Sequence, residues 1–387
     1  MPGTSVALDS EWSVLLAACS VIPLSEKQTR LRSSLREPIR WKPLFDLAER
    51  HGALPLLYQA LSQMEDAVPA EQLRTLHQAF QANLHKALFL SRELIRILDC
   101  LSGASLEVMP YKGLALAEAV YGDIALRQAG DIDLLIHPQD IQRIVDAVRE
   151  LGYMANWSLT EVEQRAYVQS GYECAFDGTA GPNLLEVQWA IHPRFYAIDF
   201  DMSGLFQRAV TATVAGRLMK TPSPEDLFLV LSAHAAKHVY GRIIWLCDLA
   251  QLMSLPTLDW DWIGPQSKDL GIVRILQVTM QLANRLLGAA IPEAAQGSLP
   301  DDVESAALAA EIETHLTSET TYNVESLAYF RLMIRLRERQ SDRLRFLQRL
   351  VLTPGPGEWK SIRLPRPLFQ LYRVVRLSRL AARLLRA

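Results

Sequence analysis

The feature that most constrains the fold is the segment DIDLLI, residues 131–136, an apolar run that begins with two acids one residue apart. Such a run, closed by Pro138, predicts a buried β-strand. Residues i and i+2 of a strand point to the same side, so Asp131 and Asp133 would project together while Ile132 faces the opposite layer. Two neighbouring carboxylates repel each other and need a compensating cation to stay ionised. When all the ligands are oxygen atoms, that cation is Mg²⁺ or Mn²⁺. The alternative interpretation is that the two acids lie at a solvent-exposed end of the strand and bind nothing.

Helical and strand-like patterns are distributed unevenly around this segment. Apolar residues at i, i+3 and i+4 predict helices over residues 10–104 and again from Ser223 onward. Between these helical regions, four segments have the pattern of strands, and predicted helices lie among them: LEVMPYKG, DIDLLIHP, GYECAFDG and NLLEVQWAIHP. The last is apolar enough to be a central strand. We therefore predict an α+β fold: an N-terminal helical region (1–104), a small mixed-sheet core (105–220) and a C-terminal helical region (221–387) with a basic amphipathic tail.

Composition excludes several classes of protein. The 387 residues carry a net charge of −3, so the whole chain is not an obvious polyanion binder. The four cysteines are scattered without a CxxC pair, which predicts reduced thiols in a cytoplasmic protein. No signal peptide and no apolar run of membrane-spanning length are apparent. Motifs of P-loop enzymes, dinucleotide-dependent oxidoreductases and α/β-hydrolases are missing from the sequence.

A candidate phosphate site precedes the paired acids. Lys112 and Gly113 lie between a predicted strand and a predicted helix, where a small residue lets the backbone approach an anion and the helix start favours it. Arg127, just before the strand, is a second candidate phosphate contact, and Arg143 is interpreted as a surface residue. A plain turn with a solvated lysine is the alternative for Lys112.

A third acid is expected on a neighbouring strand. Glu186 is a polar residue within the apolar run NLLEVQWAIHP, and burying it unpaired would be costly. Together with Asp131 and Asp133 it would complete a two-metal site. An edge-strand glutamate facing water is the alternative.

A second polar cluster lies on a predicted helix further along the chain. His234 and His238 are four residues apart, with Lys237 on the same face, and Arg242 follows. We interpret these four as donors to nucleotide phosphate or base; a transition-metal site and a buried helix pair are the alternatives. Asp248 would orient one of these bases or pair with Arg242. Trp245 is interpreted as a core residue rather than a stacking platform.

The quoted residues resemble a known family. YKGLALAEAVYGDIALRQAGDIDLLI, residues 111–136, is similar to the bacterial nucleotidyltransferase-like proteins of the DNA polymerase β superfamily. Residues 234–252 resemble a second block of that family, and residues 364–380 resemble its usual C-terminal segment. The positions that match are Lys112, Gly113, Tyr121, Gly122, Asp123, Arg127, Gly130, Asp131 and Asp133.

This resemblance implies a nucleotidyltransferase core in which Asp131, Asp133 and Glu186 bind Mg²⁺ or Mn²⁺ and Gly113 lies at the nucleotide phosphates. The chain departs from the family in two places. Lys-Gly replaces the Gly-Ser turn of the broader superfamily, and Glu-Val-Gln-Trp replaces the usual Asp-Leu-His-Trp, so the histidine beside the third acid is absent.

Three functional hypotheses follow. The first is an enzyme of the EC 2.7.7 type that transfers NMP from an NTP, such as ATP, to a hydroxyl or phosphate of an acceptor and releases pyrophosphate. The second is a non-catalytic nucleotide- or protein-binding module on the same fold, and the third is an RNA-end-modifying member. The acceptor remains open among small molecules, peptides, proteins and RNA, and so does the base of the NTP.

The C-terminus is strongly basic. Residues 331–387 carry 15 basic residues against three acids, which suggests an anionic partner or an internal docking surface. The preferred interpretation is a docking helix whose arginines pair with acids elsewhere in the chain, with nucleic acid or an anionic membrane surface as the alternative. The arginines that recur every three to four residues, opposite Leu371, Val374 and Val375, are Arg373, Arg376, Arg379, Arg383 and Arg386.

Overall fold

The computed structural model describes residues 9–384 except 158, 300–301, 319–321 and 324–325, and at 183, 366, 383 and 384 it describes the backbone alone. Its centre is a five-stranded mixed sheet in the order β1-β2-β5-β4-β3. Strand β2 runs parallel to β5, and the other neighbours are antiparallel. The strands of this sheet are β1 (Val108–Pro110), β2 (Ile132–Ile136), β3 (Met154–Ala155), β4 (Glu173–Gly178) and β5 (Gly181–Gln188).

Helices flank the sheet on both sides in sequence, which confirms the predicted α+β fold. The first group is α1 (Ser10–Cys19), α2 (Leu24–Ser34), α3 (Trp41–Arg50), α4 (Leu54–Leu61) and α5 (Ala70–Gly103). Those within the sheet region are α6 (Gly113–Tyr121), α7 (Ile141–Glu150), α8 (Glu161–Ser170) and α9 (Met202–Gln207), followed by a hairpin of β6 (Val210–Val214) and β7 (Arg217–Thr221).

The remaining helices follow the hairpin. They are α10 (Pro224–Lys237), α11 (Ile243–Met253), α12 (Trp260–Leu270), α13 (Val273–Leu287), α14 (Glu293–Ser298), α15 (Val303–Thr317), α16 (Leu327–Arg335), α17 (Gln340–Leu352), α18 (Pro356–Ser361) and α19 (Tyr372–Leu384). Short 3₁₀ turns occur at Ile124–Leu126, Pro138–Asp140, Arg194–Tyr196 and Arg366–Leu371. Across the described ranges, we find no helix that combines the length and the apolar character needed to cross a bilayer.

The alternation of side chains along β2 separates two hydrophobic cores. Ile132, Leu134 and Ile136 pack with α5 and α7 in one core, whereas Leu135 belongs to a larger core that joins helices from both ends of the chain. Leu135 lies on the same face of β2 as Asp133, so the Asp133 side chain leaves the sheet on the side of the larger core. Helices therefore cover the face of the sheet that carries Asp133.

Local backbone geometry sets two helix boundaries in the C-terminal half of the chain. Helix α10 ends at Lys237, and His238 is its C-cap, because the chain turns sharply at Val239 and Tyr240, both with positive φ. The segment TPGPGEW, residues 353–359, contains the start of α18 at Pro356. A proline fits the first turn of a helix, and the Glu358 carboxylate caps the Gly355 N–H at 2.9 Å.

The basic C-terminal helix α19 docks onto the rest of the protein. Arg376 and Arg379 donate to the buried carboxylate of Glu358 at 3.2 and 3.0 Å, which supports the docking interpretation. Leu371 and Val374 are exposed instead of buried, because Glu358 draws the arginine side of the helix inward. The Arg383 side chain and Arg386 lie outside the described residues, and an anionic partner stays a prediction.

Candidate functional site

Strand pairing brings the predicted acids together. Asp133 of β2 is the register partner of Glu186 of β5 in the parallel pair. Adjacent strands lie about 4.8 Å apart, so these two carboxylates leave neighbouring positions on one face of the sheet. Asp131 precedes β2 by one residue. The three acids Asp131, Asp133 and Glu186 line one cavity, whose volume is about 860 Å³.

The same cavity collects every residue named from the sequence as a site candidate. The turn before α6 contributes Lys112 and Gly113, and the end of α10 and the segment after it line the opposite wall. The ten candidates that line it are Lys112, Gly113, Arg127, Asp131, Asp133, Glu186, His234, Lys237, His238 and Arg242. Their roles in binding or catalysis stay predictions.

Gly113 is required by backbone geometry. It opens α6 with a φ of +51°, in the left-handed region that disfavours residues with a side chain. A Cβ at this position would lie 3.3 Å from the Asp131 carbonyl oxygen. The turn thus passes close to the acid-bearing strand, with the positive end of a helix beside it.

Two of the acids, Asp131 and Glu186, have raised pKa values. Burial, and then the Asp133 carboxylate, raise the pKa of Asp131 to about 6. Burial and the carboxylates of Asp133 and Glu173 raise the pKa of Glu186 to about 7. Both shifts arise because several negative groups share one poorly solvated site.

Two neighbouring groups partly offset this repulsion. Lys112 Nζ donates to Asp133 Oδ1 at 3.1 Å. Burial opposes its charge, but the Asp133 carboxylate and the Tyr111 hydroxyl together outweigh burial and raise the Lys112 pKa, so the ammonium stays protonated. Its Nζ also lies 4.7 Å from the centroid of the Tyr111 ring. Lys112 is therefore an internal counter-ion of the acids and not a solvated lysine.

Gln188 is the second such group. Only 1% exposed, it accepts a hydrogen bond from the Tyr111 hydroxyl through Oε1. Its Nε2 lies 3.2 Å from Glu186 and 3.4 Å from both Asp133 and Glu173. An amide has two N–H hydrogens to share among these three carboxylates. Gln188 therefore holds the acids in place at the position where the related family usually has histidine.

Arg127 has a partner other than the expected phosphate. It is buried, and its Nε donates to both carboxylate oxygens of Asp248 at 3.1 Å, while Nη2 lies 3.0 Å from Oδ2. The Tyr121 hydroxyl donates to the same carboxylate at 2.9 Å. The expected pairing of Asp248 with Arg242 is wrong, because Arg242 is exposed at the cavity mouth and Asp248 is buried beside Arg127.

The second polar cluster surrounds an indole ring. The His234 and His238 ring centroids lie 4.7 Å apart, and each is 5.3 Å from the Trp245 ring. Burial, and then the Lys112 ammonium, lower the pKa of His234 well below its ordinary value, so this imidazole is neutral at pH 7. Trp245 packs against the core, as expected, but also lines the cavity.

A comparison with known families identifies this architecture. A family model described as "Uncharacterised nucleotidyltransferase" matches residues 37–288, more than half of the chain, including the whole five-stranded sheet. The chain belongs to this nucleotidyltransferase family. No curated protein and no solved structure shows significant similarity to it.

Membership of the nucleotidyltransferase family confirms the resemblance noted in the sequence and supports a general role in nucleotidyl transfer. The block at 234–252 lies within the matched range, so the cavity walls on both sides belong to the family region. The segment 364–380 lies beyond that range.

The three acids of the cavity are ligands of the type that a divalent cation prefers. Asp131, Asp133 and Glu186 offer oxygen ligands alone, and a bound cation would offset the repulsion that helps to raise the pKa values of Asp131 and Glu186. Within the described ranges, however, no three His, Cys, Asp or Glu side chains converge tightly enough to form a metal site. Because Lys112 engages Asp133 Oδ1, a cation at that oxygen would compete with the ammonium.

Several cavity residues were missed from the sequence. Glu173 of β4 is a fourth acid, opposite Gln188 in the register, and polar alternation within ECAFDG was its available signal. Asn83 and Lys86 reach the cavity from α5, which the sequence described only as a long helix. Tyr172 accepts a hydrogen bond from Lys237 Nζ at 2.8 Å. These contacts join segments that are far apart in the chain.

Replacing Glu186 with Gln is expected to stabilise the metal-free protein at pH 8. The folded-state pKa of about 7 lies above the ordinary 4.5, so the penalty for ionising Glu186 grows between these pH values and is complete above them. Allowing for partial exposure, we expect a gain of about 2 kcal/mol in unfolding free energy at pH 8 and much less at pH 5. Urea unfolding in the presence of a chelator measures both; an equal effect at the two pH values would contradict this assignment.

Proposed function

We propose that the protein is a metal-dependent nucleotidyltransferase that moves NMP from an NTP to a hydroxyl or phosphate of an acceptor. The observation that carries this proposal is the pairing of Asp133 with Glu186 across parallel strands, with Asp131 lining the same cavity. A glycine turn at the start of α6 lies against this acid strand. Carboxylates would bind the cation that accompanies a nucleotide, and the N-terminus of a helix beside them would favour the nucleotide phosphates.

In the proposed reaction an acceptor oxygen forms a bond to the α-phosphorus of the NTP. The bond from that phosphorus to the bridging oxygen breaks, pyrophosphate leaves with the electron pair, and the acceptor proton passes to solvent. Asp131, Asp133 and Glu186 would hold Mg²⁺ or Mn²⁺, which would supply charge neutralisation and lower the pKa of the attacking hydroxyl.

The protein's own groups would position the reactants. Four basic residues line the cavity and would offer positive charge to the triphosphate. They are Lys86, Lys112, Lys237 and the exposed Arg242. The neutral His234 would donate or accept a hydrogen bond without adding charge. The protein would thus act by positioning the reactants and by electrostatic stabilisation, and its side chains would form no covalent bond to them.

The test follows the fate of the α-phosphate. The protein is incubated with Mg²⁺, each of the four NTPs labelled at the α-phosphate, and panels of alcohols, phosphorylated compounds, peptides and RNA. The proposal predicts that label moves to one acceptor class and that pyrophosphate appears in equal amount. Release of inorganic phosphate alone, or NTP binding without any pyrophosphate, would overturn it.

A non-catalytic nucleotide-binding module is the second candidate. The observation in its favour is that Lys112 and Gln188 already engage the acids, which partly replaces the need for a cation. Calorimetry separates the two candidates. A nucleotide affinity that does not depend on Mg²⁺ favours the binding module, whereas tighter binding with Mg²⁺ favours the transferase.

A further inference from the structure

A second cavity, of about 490 Å³, adjoins the acid-lined one. Tyr172, Lys237 and His238 line both cavities and form the boundary between them. Such a volume suits a small molecule with about the size of a nucleoside. The far wall is built by the loop at 353–355, by the start of α18 and by α19, which carries Arg376, Arg379 and Leu380.

Aromatic rings dominate the walls of the second cavity. Tyr167, Tyr172, Phe195 and Phe330 line it and are half-buried, so part of each ring remains accessible. Aromatic faces pack well against flat rings and against the apolar faces of sugars. These walls therefore favour an occupant that contains a ring.

The charged groups around the second cavity are only partly compensated. Glu358 accepts from Arg376 and Arg379, so two cations and one anion leave a small positive excess on the α19 side. Lys237 adds a further positive group at the boundary. This balance favours a neutral or singly anionic occupant and disfavours a cationic one.

Lys237 is fixed at the boundary by several contacts. Its Nζ donates to the Tyr172 hydroxyl at 2.8 Å and lies 4.2 Å from the centroid of that ring. Its carbonyl oxygen accepts from the Tyr329 and Tyr196 hydroxyls at 2.9 and 3.3 Å. Burial lowers the pKa of Lys237 to about 8. The residue is therefore well placed to touch a polar group that passes from one cavity to the other.

We propose that the second cavity is the acceptor site and that it takes a small, neutral or singly anionic alcohol with a ring. The ring packs among Tyr167, Phe195 and Phe330, and the reacting hydroxyl extends past Lys237 toward Asp131 and Glu186. This inference rests on the proposed transferase function. The bond changes are those given above, with the acceptor oxygen supplied by this alcohol.

Filling the cavity tests the proposal. Leu380→Trp places a large side chain in the cavity from α19, and Thr353→Trp does so from the loop. Leu377→Trp is the matched control, because Leu377 lies one turn earlier on α19 and is 45% exposed. None of these residues lines the acid cavity.

The readout is ligand-observed NMR of the full chain with adenosine, glucose and 4-hydroxybenzyl alcohol as probes. We expect at least one probe to bind the original protein and Leu377→Trp, and to bind Leu380→Trp and Thr353→Trp at least tenfold more weakly. The dissociation constant of a non-hydrolysable ATP analogue should change less than twofold in all variants, which also shows that they fold.

The outcomes separate the two proposals. Absence of probe binding, unchanged binding in both filled variants, or binding of an RNA oligonucleotide alone would overturn the acceptor site and leave the transferase proposal standing. Failure of the ATP analogue to bind the original protein would instead overturn the transferase proposal. Leu380-dependent probe binding would then still identify a ring-binding cavity.

Discussion

Replacing Asp131 with Asn is expected to lower Mg²⁺-dependent nucleotidyl transfer by about a thousandfold or more, because it removes a carboxylate that would hold the divalent cation against the reacting phosphates. The fold should remain intact. Asn has nearly the same size, and the change removes a carboxylate whose pKa is raised by burial and by Asp133. Transfer of the α-phosphate label and the free energy of unfolding are measured on the same sample.

Asp146→Asn is the matched control for this substitution, since Asp146 lies on the surface of α7 and its side chain is 56% exposed. It should leave transfer unchanged. Retained turnover in Asp131→Asn, at a rate within tenfold of the original protein, would contradict the catalytic role of the acids. An Asp131→Asn protein that is unfolded would contradict the claim that this residue serves function more than stability.

Replacing Asp248 with Leu is expected to destabilise the protein by about 3–5 kcal/mol, because it leaves the buried Arg127 guanidinium without its carboxylate. Tyr121 loses the acceptor of its hydroxyl as well. The double variant Arg127→Met/Asp248→Leu should recover most of this loss, since both charges are then absent. Urea unfolding of the two single variants and the double variant measures the coupling.

The control for the buried pair is the exposed pair of Glu26 and Arg30 on α2, whose side chains are about half exposed. Glu26→Ala should cost less than about 0.5 kcal/mol, as exposed pairs on helices do. If Asp248→Leu cost as little as Glu26→Ala, or if the double variant were no more stable than the single ones, Arg127 would not be held as the structure indicates. Its expected role as a phosphate contact would then regain support.

The sequence was sufficient where local periodicity decides the structure. Alternation along β2 predicted that Asp131 and Asp133 share a face, and the polar Glu186 in an apolar run predicted a third acid on the next strand. The register pairs Asp133 with Glu186, and Asp131 lines the same cavity, while the roles of the three acids stay predictions. Helices with a strong apolar stripe, such as α5 and α13, were predicted for the same reason.

Long-range partners were not accessible from the sequence. The contacts of Lys112 with Asp133 and of Arg127 with Asp248 join residues 21 and 121 positions apart, and periodicity does not report such pairs. The β6–β7 hairpin was missed because Leu218 is exposed and its apolar pattern did not read as a half-buried strand. The signal available in the sequence was Gly216 of the two-residue turn Ala215-Gly216, in which both residues have positive φ values.

The central claim is tested most directly by a crystal structure with Mn²⁺ and a non-hydrolysable NTP. The account predicts an anomalous peak for Mn²⁺ within bonding distance of Asp131 and Asp133, with Glu186 beside it and the triphosphate next to Gly113. It also predicts that Lys112 leaves Asp133 Oδ1 for the phosphates. Nucleotide bound elsewhere, or Lys112 still on Asp133 with Mn²⁺ absent from the three acids, would contradict the account.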